Sequence, residues 1–477
     1  MRAALTLDRT QPTPLHRQLY EEWRRGILDG RFRRGDRVPS TRDLASSLKL
    51  SRSTVTQAYD LLLAEGYLES ARGSGTFVCR TLPDELLAPA PSARRATPPA
   101  RAVKLSQFGQ QLSEDYAYPP IEPGWISFAH WGPDITTLPL DLWRRLQMRH
   151  LRRSSIEMLG YAQESQGYEP LRVEIARYVA RSRAVHCSPE QVIVVNGSQQ
   201  ALDLCARLLL DPGDGVAVED PCYLGARRVF AVAGGKLQPM PVDAEGATCG
   251  DLDAKTRVAY VTPSHQFPTG IAMSLNRRLE LIRWAQARGV VIIEDDYDSE
   301  YRYEGAPLPA LQGLVHDAPI AYCGTFSKVL YPGLRIGYLI VPRELVAPFA
   351  RAKWLADRHT SVVQQAALAD FLRDGHLERH VRRMRRLYGL RREALLEGLR
   401  KTFGDRATVI GEAAGMHAYV RIQDATLAKR AVSNKVQLRG AGPHYLKPAH
   451  PNDWLFGFST LSERAIREGF KRLAASN

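Results

Sequence analysis

The sequence predicts an α/β protein in two parts, a small winged helix-turn-helix domain and a large domain on a mostly parallel sheet with helices on both faces. Three observations predict it. The first 80 residues carry helical apolar stripes, two joined by a tight turn and followed by a glycine-rich hairpin. Residues 81–115 are rich in Pro and Ala and show no period. From about 125 onward, short β-branched runs alternate with amphipathic helical stretches.

In order, "PLHRQLYEEWRRGILDG" (14–30) spaces Leu15, Leu19, Trp23 and Ile27 four residues apart, the stripe of a helix that Gly30 can end. Ser40 can cap a short helix over 41–48, a turn follows near Leu50, and Ser51 can cap a longer helix with Val55, Tyr59, Leu62 and Leu63 inward. "YLES" and "GTFV" read as strands around the tip "ARGSG". Arg42, Ser51, Arg52, Ser53, Thr54 and Thr56 stand where a recognition helix offers hydrogen bonds to base edges and phosphates, and Arg72 stands on the wing. Ser and Thr at a helix start are often only caps, so the ordered combination carries the inference. "PSTRDLASSLKLSRSTVTQAYDLLLAEGYLESARGSGTFV" resembles the DNA-binding domain of the GntR family of bacterial regulators. The resemblance implies double-stranded operator DNA as partner.

The domain divisions are 1–80 for the DNA-binding part, 81–115 for a flexible linker that buries too little apolar surface to order itself, and 116–477 for the large domain, with a small C-terminal α/β subdomain over about 345–477. "QVIVVNG", "GVAVED", "RVAYVTP", "GVVIIEDD", "APIAYCGT" and "RIGYLIV" are apolar throughout, as strands covered on both faces are. Helices "SQQALDLCARLLL" and "LNRRLELIRWAQAR" lie between them.

Ligands in such sheets collect at the carboxyl ends of the strands, where the polar residues of this chain sit. "YCGTFSKVLYPGLRIGYLI" places Lys328 in a tight turn of small residues, with Arg335 seven residues on. A lysine that forms a Schiff base with pyridoxal 5'-phosphate needs a carboxylate on the ring nitrogen, and hydroxyls and an arginine on the phosphate. Asp295 supplies the carboxylate and Tyr297 a donor to the 3-hydroxyl. Thr325, Ser327, Arg335, Ser198 and Gln199 form a phosphate cup, and Tyr223 is placed to stack on the ring.

Together these residues resemble the fold-type I aminotransferases from about 125 to 470. That resemblance implies a strand-end loop beside the cofactor at "SHQFPTG", with His265 and Gln266 as supporting or ring contacts. It also implies a tyrosine, Tyr161, that reaches the phosphate across a dimer interface. A winged helix joined by a linker to such a domain resembles the MocR subfamily of GntR regulators, dimeric transcription factors that bind pyridoxal phosphate and, in some members, an amino compound as effector.

The departures are informative. The arginine with which such aminotransferases hold a substrate carboxylate is matched by Leu455, and a second one, used by a γ-aminobutyrate-sensing regulator, by Gly225. Neither can make a bidentate fork. No catalytic residue is assigned beyond Lys328, and the cofactor itself is the expected signal, as in PdxR-type regulators of vitamin B6 synthesis; control of amino-compound metabolism genes is the other expectation. Arg227, Arg228, His444 and Lys447 offer another route to an anionic effector. The rivals are an aminotransferase with an accessory DNA-binding domain, and a DNA-binding protein with a relict cofactor site.

Lys and Arg exceed Asp and Glu by 65 to 51, a formal charge of +14 that favours polyanionic partners. The six cysteines are scattered, without metal-ligand spacing, so no metal is expected. No signal peptide or membrane span is apparent, and the expected location is cytoplasmic. "HLERHVRRMRRLYGLRREALLEGLRK" (376–401) reads as a helix with Leu377, Val381, Met384, Leu387, Leu390 and Leu395 on one stripe and arginines around the rest, a solvated face or a second phosphate-contacting surface.

Overall fold

Helix α1 (Leu15–Leu28) buries Leu19, Trp23 and Ile27, with Trp23 stacked on Phe32 at 4.1 Å between ring centroids and edge-on to Tyr59 at 5.9 Å. Leu15, at the end of the stripe, is only half-buried. α2 (Thr41–Leu48) begins where Ser40 Oγ accepts the Asp43 amide at 3.2 Å and ends at Lys49, whose left-handed backbone makes the turn. α3 (Arg52–Ala64) begins where Ser51 Oγ accepts the Thr54 amide at 3.1 Å. Val55, Tyr59 and Leu62 are buried, while Leu63 lies at the margin. Strands β1 (Leu68–Ala71) and β2 (Gly75–Val78) pair antiparallel and close the wing.

The computed structural model describes residues 5, 7–71, 74–84, 103–112, 120–153, 158, 160, 161, 164–250, 252–305, 308–315, 318–411, 413–448 and 450–475. The chain divides into two compact units, 1–104 and 105–477. Among the described residues no helix is long and apolar enough to cross a membrane.

The second unit begins its sheets with β3 (Ile126–Ser127) and continues with β4 (Val192–Val195), β5 (Gly215–Asp220), β6 (Lys236–Asp243), β7 (Gly246–Ala247), β8 (Thr256–Val261), β9 (Val291–Asp296), β10 (Ile320–Thr325) and β11 (Gly337–Ile340). The main sheet runs β4-β11-β10-β9-β8-β5-β6-β7. From β10 to β6 every pairing is parallel; β11 is antiparallel to both neighbours. β4, β5 and β10 are buried throughout, which is why they read as unbroken apolar runs. Helices Ser198–Leu209 and Leu275–Arg288 cover the sheet, burying Leu202, Cys205, Leu281 and Ile282.

Period-two alternation decides which acids of β9 reach which face. Asp296 takes the guanidinium of Arg183 at 2.6 Å and the Tyr322 hydroxyl at 2.6 Å. Asp295 points to the other face and accepts from Tyr260 at 2.9 Å. A one-residue slip of this strand would exchange them.

Strands β12 (Ala407–Ile410), β13 (His417–Ile422), β14 (Val436–Gln437), β15 (Arg439–Gly440) and β16 (Asp453–Gly457) follow the long helix His376–Phe403. Four of them form an antiparallel sheet, β12-β13-β16-β15, and β14 pairs parallel to β3. On the long helix Leu377, Val381, Met384 and Leu395 are buried and Leu387 is partly so. Leu390 departs from the expected stripe and is 56% exposed. It falls outside the arc that Tyr388, Arg391 and Ala394 turn inward.

Candidate functional site

A cavity of ≈ 800 Å³ opens at the carboxyl ends of β8, β9 and β10. Nine of the ten residues chosen from sequence for a cofactor line it: Ser198, Gln199, Tyr223, Asp295, Tyr297, Thr325, Ser327, Lys328 and Arg335. The tenth, Tyr161, does not. It is 85% exposed, its ring edge-on to His359 at 6.3 Å between centroids.

One end of the cavity is acidic and buried. Asp295 is 5% exposed, and its Oδ1 has no hydrogen-bond partner while Oδ2 takes the Tyr260 hydroxyl. Burial pushes its pKa up to about 7, against the pull of Tyr260 and Lys328. Lys328 Nζ donates to the Trp131 carbonyl at 3.3 Å. Burial draws its pKa below the ordinary lysine value, while Asp298 and Asp295 push it back up.

The other end is built for an anion. Gly197, with φ +86°, precedes the helix Ser198–Leu209 and has no side chain with which to cap it. A Cβ at Gly197 would stand 3.0 Å from the Arg335 guanidinium, whose Nη2 donates to the Asn196 carbonyl at 2.6 Å. Thr325 Oγ1 accepts the Ser327 amide at 3.1 Å, leaving Ser327 Oγ buried and unpartnered. Helix amides, two hydroxyls and a guanidinium thus converge.

Sequence reasoning missed Trp131, Tyr260 and Phe267, which also line the cavity. Tyr260 was legible in retrospect, being the one polar group in the apolar run VAYV that ends β8; Trp131 and Phe267 look like any core aromatic. His265 is buried beneath the wall, its Nδ1 2.9 Å from Asp298 Oδ1 and 2.9 Å from the Tyr297 hydroxyl. Gln266 donates to Glu219 Oε2 at 3.1 Å and to the carbonyls of Pro221 and Phe267, both at 2.7 Å, so it holds the loop.

Leu455 is fully buried in β16 beside Tyr419 and Ala441, with Trp131 packed against them. At Gly225 even a methyl group would stand 2.5 Å from the Tyr223 ring and 2.6 Å from Gln199 Oε1. Of the alternative anion groups, Arg227 donates to the Tyr445 carbonyl at 2.8 Å and buried His444 has Nδ1 3.2 Å from the Cys222 carbonyl. Lys447 is exposed.

In the winged-helix unit Arg42, Ser51, Arg52 and Ser53 are exposed, and Thr54 and Thr56 are half-buried. The hydroxyls are already engaged. Ser51 Oγ lies 2.9 Å from Ser53 Oγ and 2.7 Å from Thr54 Oγ1, and Thr56 donates to the Arg52 carbonyl at 2.9 Å. The two arginines are the groups held outward; Arg72 lies outside the described residues.

Residues 136–452 match the model for aminotransferase class I and II, and residues 15–78 that for bacterial regulatory proteins of the gntR family. The chain is 39% identical, over 99% of its length and 95% of the relative's, to a probable rhizopine catabolism regulatory protein, MocR, of Rhizobium meliloti. It is 33% identical, over 97% of its length and 96% of the relative's, to the pyridoxine biosynthesis transcriptional regulator PdxR of Corynebacterium glutamicum. Among solved structures, it is similar to the kynurenine aminotransferase of Pyrococcus horikoshii, with TM-score 0.68 and 28% identity over 80% of this chain and 96% of that one.

Proposed function

This chain belongs to the MocR subfamily of the gntR family of bacterial regulatory proteins, and from that premise we propose that it is a DNA-binding transcriptional regulator whose large domain binds pyridoxal 5'-phosphate as its sensing ligand. The observation that carries the ligand is the unpartnered, buried Oδ1 of Asp295 in the same cavity as Lys328. When bound, pyridoxal phosphate supplies an aldehyde open to an amine and a ring nitrogen that carries a proton.

The residues fit that group. Asp295 would accept a hydrogen bond from the protonated ring nitrogen at its free oxygen, and that ion pair would stabilise the carboxylate that burial alone disfavours. Desolvation favours the neutral, nucleophilic amine of Lys328. Thr325, Ser327, Arg335 and the helix start at Ser198 and Gln199 hold the phosphate, Tyr223 covers the ring, and Tyr297 donates to the ring hydroxyl. Tyr161, exposed in one chain, serves a phosphate in the second subunit of a homodimer.

The winged helix presents Arg42 and Arg52 to operator DNA, and Arg72 serves the wing. Occupation of the cavity passes through residues 81–115 to the DNA-binding heads, which requires that the ligand prefer one arrangement of them. Leu455 and Gly225 leave no arginine fork at either familiar carboxylate position, so the cofactor itself is the signal, for genes of vitamin B6 or amino-compound metabolism in the cytoplasm.

The test is a visible absorbance spectrum of wild type and Lys328→Ala with pyridoxal phosphate, beside footprints on DNA selected by the wild-type chain. The expected result is a band present only in wild type, with a footprint that changes only when that band is present. Sustained transaminase turnover with common amino acids would instead make the chain an enzyme.

A further inference from the structure

The helix Leu140–Arg153 has two faces of opposite character. Trp143 and Leu146 are buried in the core. Arg144, Arg145, Met148, Arg149 and Arg152, at helical spacing on the outer side, line an open groove of ≈ 490 Å³. All five are exposed. Arg144 meets Asp141 at 3.1 Å, and Arg149 meets Asp370 at 3.1 Å. Asp370 is shared with His150 and Arg373. Among the described residues, Arg145 and Arg152 have no acidic partner.

The patch extends onto a second element. Arg383 of the long helix donates to the Thr137 carbonyl, just before the arginine helix begins. At the start of the long helix, Arg379 is 2.8 Å from His376 Nδ1, and the charges of Arg379, Arg145 and Arg149 add to burial in lowering the pKa of His376. Asp374 and Glu378 are the acids there, engaged by Arg373 at 3.4 Å and Arg181 at 3.2 Å. Exposed Arg382 and Arg386 continue the surface.

We propose that this arginine face is a second DNA-contacting surface, which engages the phosphate backbone of duplex flanking the site read by the winged helix. A small anion would need one or two of these guanidiniums. Arginines a helical turn apart, about 6 Å of rise for four residues, match a partner with repeated charge. A winged helix tethered in the same chain raises the local concentration of such a partner, so contacts too weak to form alone form at high effective concentration. Each neutralised phosphate releases counterions, which ties the contact to salt.

The inference rests on the DNA-binding reading, and the experiment separates the two. Full-length wild type, a triple variant Arg144→Ala, Arg145→Ala, Arg152→Ala and its charge-keeping counterpart with Lys at all three positions are titrated against selected DNA. One fragment carries only the footprinted site, and the other extends it by about 20 base pairs, two helical turns, on each side. Wild type and the Lys variant should bind the extended fragment more tightly and with a steeper salt dependence. The Ala variant should lose about 2 to 3 from that log–log slope and roughly tenfold in affinity on the extended fragment, with the short fragment unaffected. Equal slopes for all three proteins on both lengths would overturn the inference alone. So would an Ala variant whose oligomeric state by light scattering shifts while its slopes hold, since the face would then join copies of the chain. No binding of the short fragment by wild type would overturn the DNA-binding reading beneath it.

Discussion

In the winged-helix unit, the groups offered to a partner, Arg42 apart, are neighbours in sequence. Residues 51–56 occupy the first turns of one helix, fixed by the Ser51 cap and held out by a core of Leu19, Trp23, Val55 and Leu62. In the large domain the lining of one cavity comes from residues as far apart as Ala129 and Thr460, assembled at the ends of parallel strands. The first arrangement survives if one small core survives. The second requires the registers of β8, β9 and β10 together, and it stores unpartnered polar atoms that the fold alone does not satisfy.

The largest test of this contrast is Asp295→Asn. It leaves the ring proton of the ligand without a buried counter-ion and should cost about 3–5 kcal/mol of pyridoxal phosphate affinity, seen in a spectroscopic titration. Binding of selected DNA by the unliganded protein should be unchanged. Equal loss of both would mean that the two units do not act separately.

Leu62→Ala attacks the other side. Leu62 is fully buried in the helical core, and its truncation should destabilise the winged-helix unit by about 2–5 kcal/mol, measured by calorimetry of the full chain. The transition of the large domain should stay where it was.

The two units should also respond to pH in different ranges. Burial raises the carboxyls of Asp295, Glu219 and Glu294 to about 7 each. Folded protein therefore holds protons that the unfolded chain has released, while buried His380, His417 and His444, lowered to about 4, 3 and 4, lack protons that the unfolded chain carries below pH 6.5. The two trends offset each other at lower pH, so the stability of the unliganded large domain should fall chiefly as pH rises through about 7. In the winged-helix unit, a hydrogen bond from Tyr67 lowers the pKa of Asp84. Its contribution is present above the unfolded carboxylate range and lost as pH falls. Melting curves at pH 5 and pH 8 should move the large-domain transition down at the higher pH and leave the other in place. Pyridoxal phosphate should blunt the trend by giving Asp295 a cation.

The smallest effect is expected from Ser51→Ala. It removes the oxygen that receives the Thr54 amide and should cost the winged-helix unit about 1 kcal/mol. Because Ser51 also orients Ser53 and Thr54, DNA affinity should fall as well; affinity that falls with no loss of stability would mean that Ser51 contacts DNA rather than capping the helix.

What the sequence by itself determined is what depends on near neighbours. The helix at 41–48 follows from its Ser40 cap, those at 198–209 and 275–288 from apolar periods, and the main strands from β-branched runs bounded by turns. Lys328, Asp295 and Arg335 were legible because ring, amine and phosphate chemistry demands those residue types at strand ends. Leu390 misled because a stripe written in one dimension does not say how wide the buried arc is. Tertiary structure alone decided that Trp131, Tyr260 and Phe267 wall the cavity, that Asp296 turns to the other face to meet Arg183 and Tyr322, and that the helix Leu140–Arg153 turns four arginines outward. Those facts depend on strand order and on contacts between residues far apart in the chain, which local propensity does not encode.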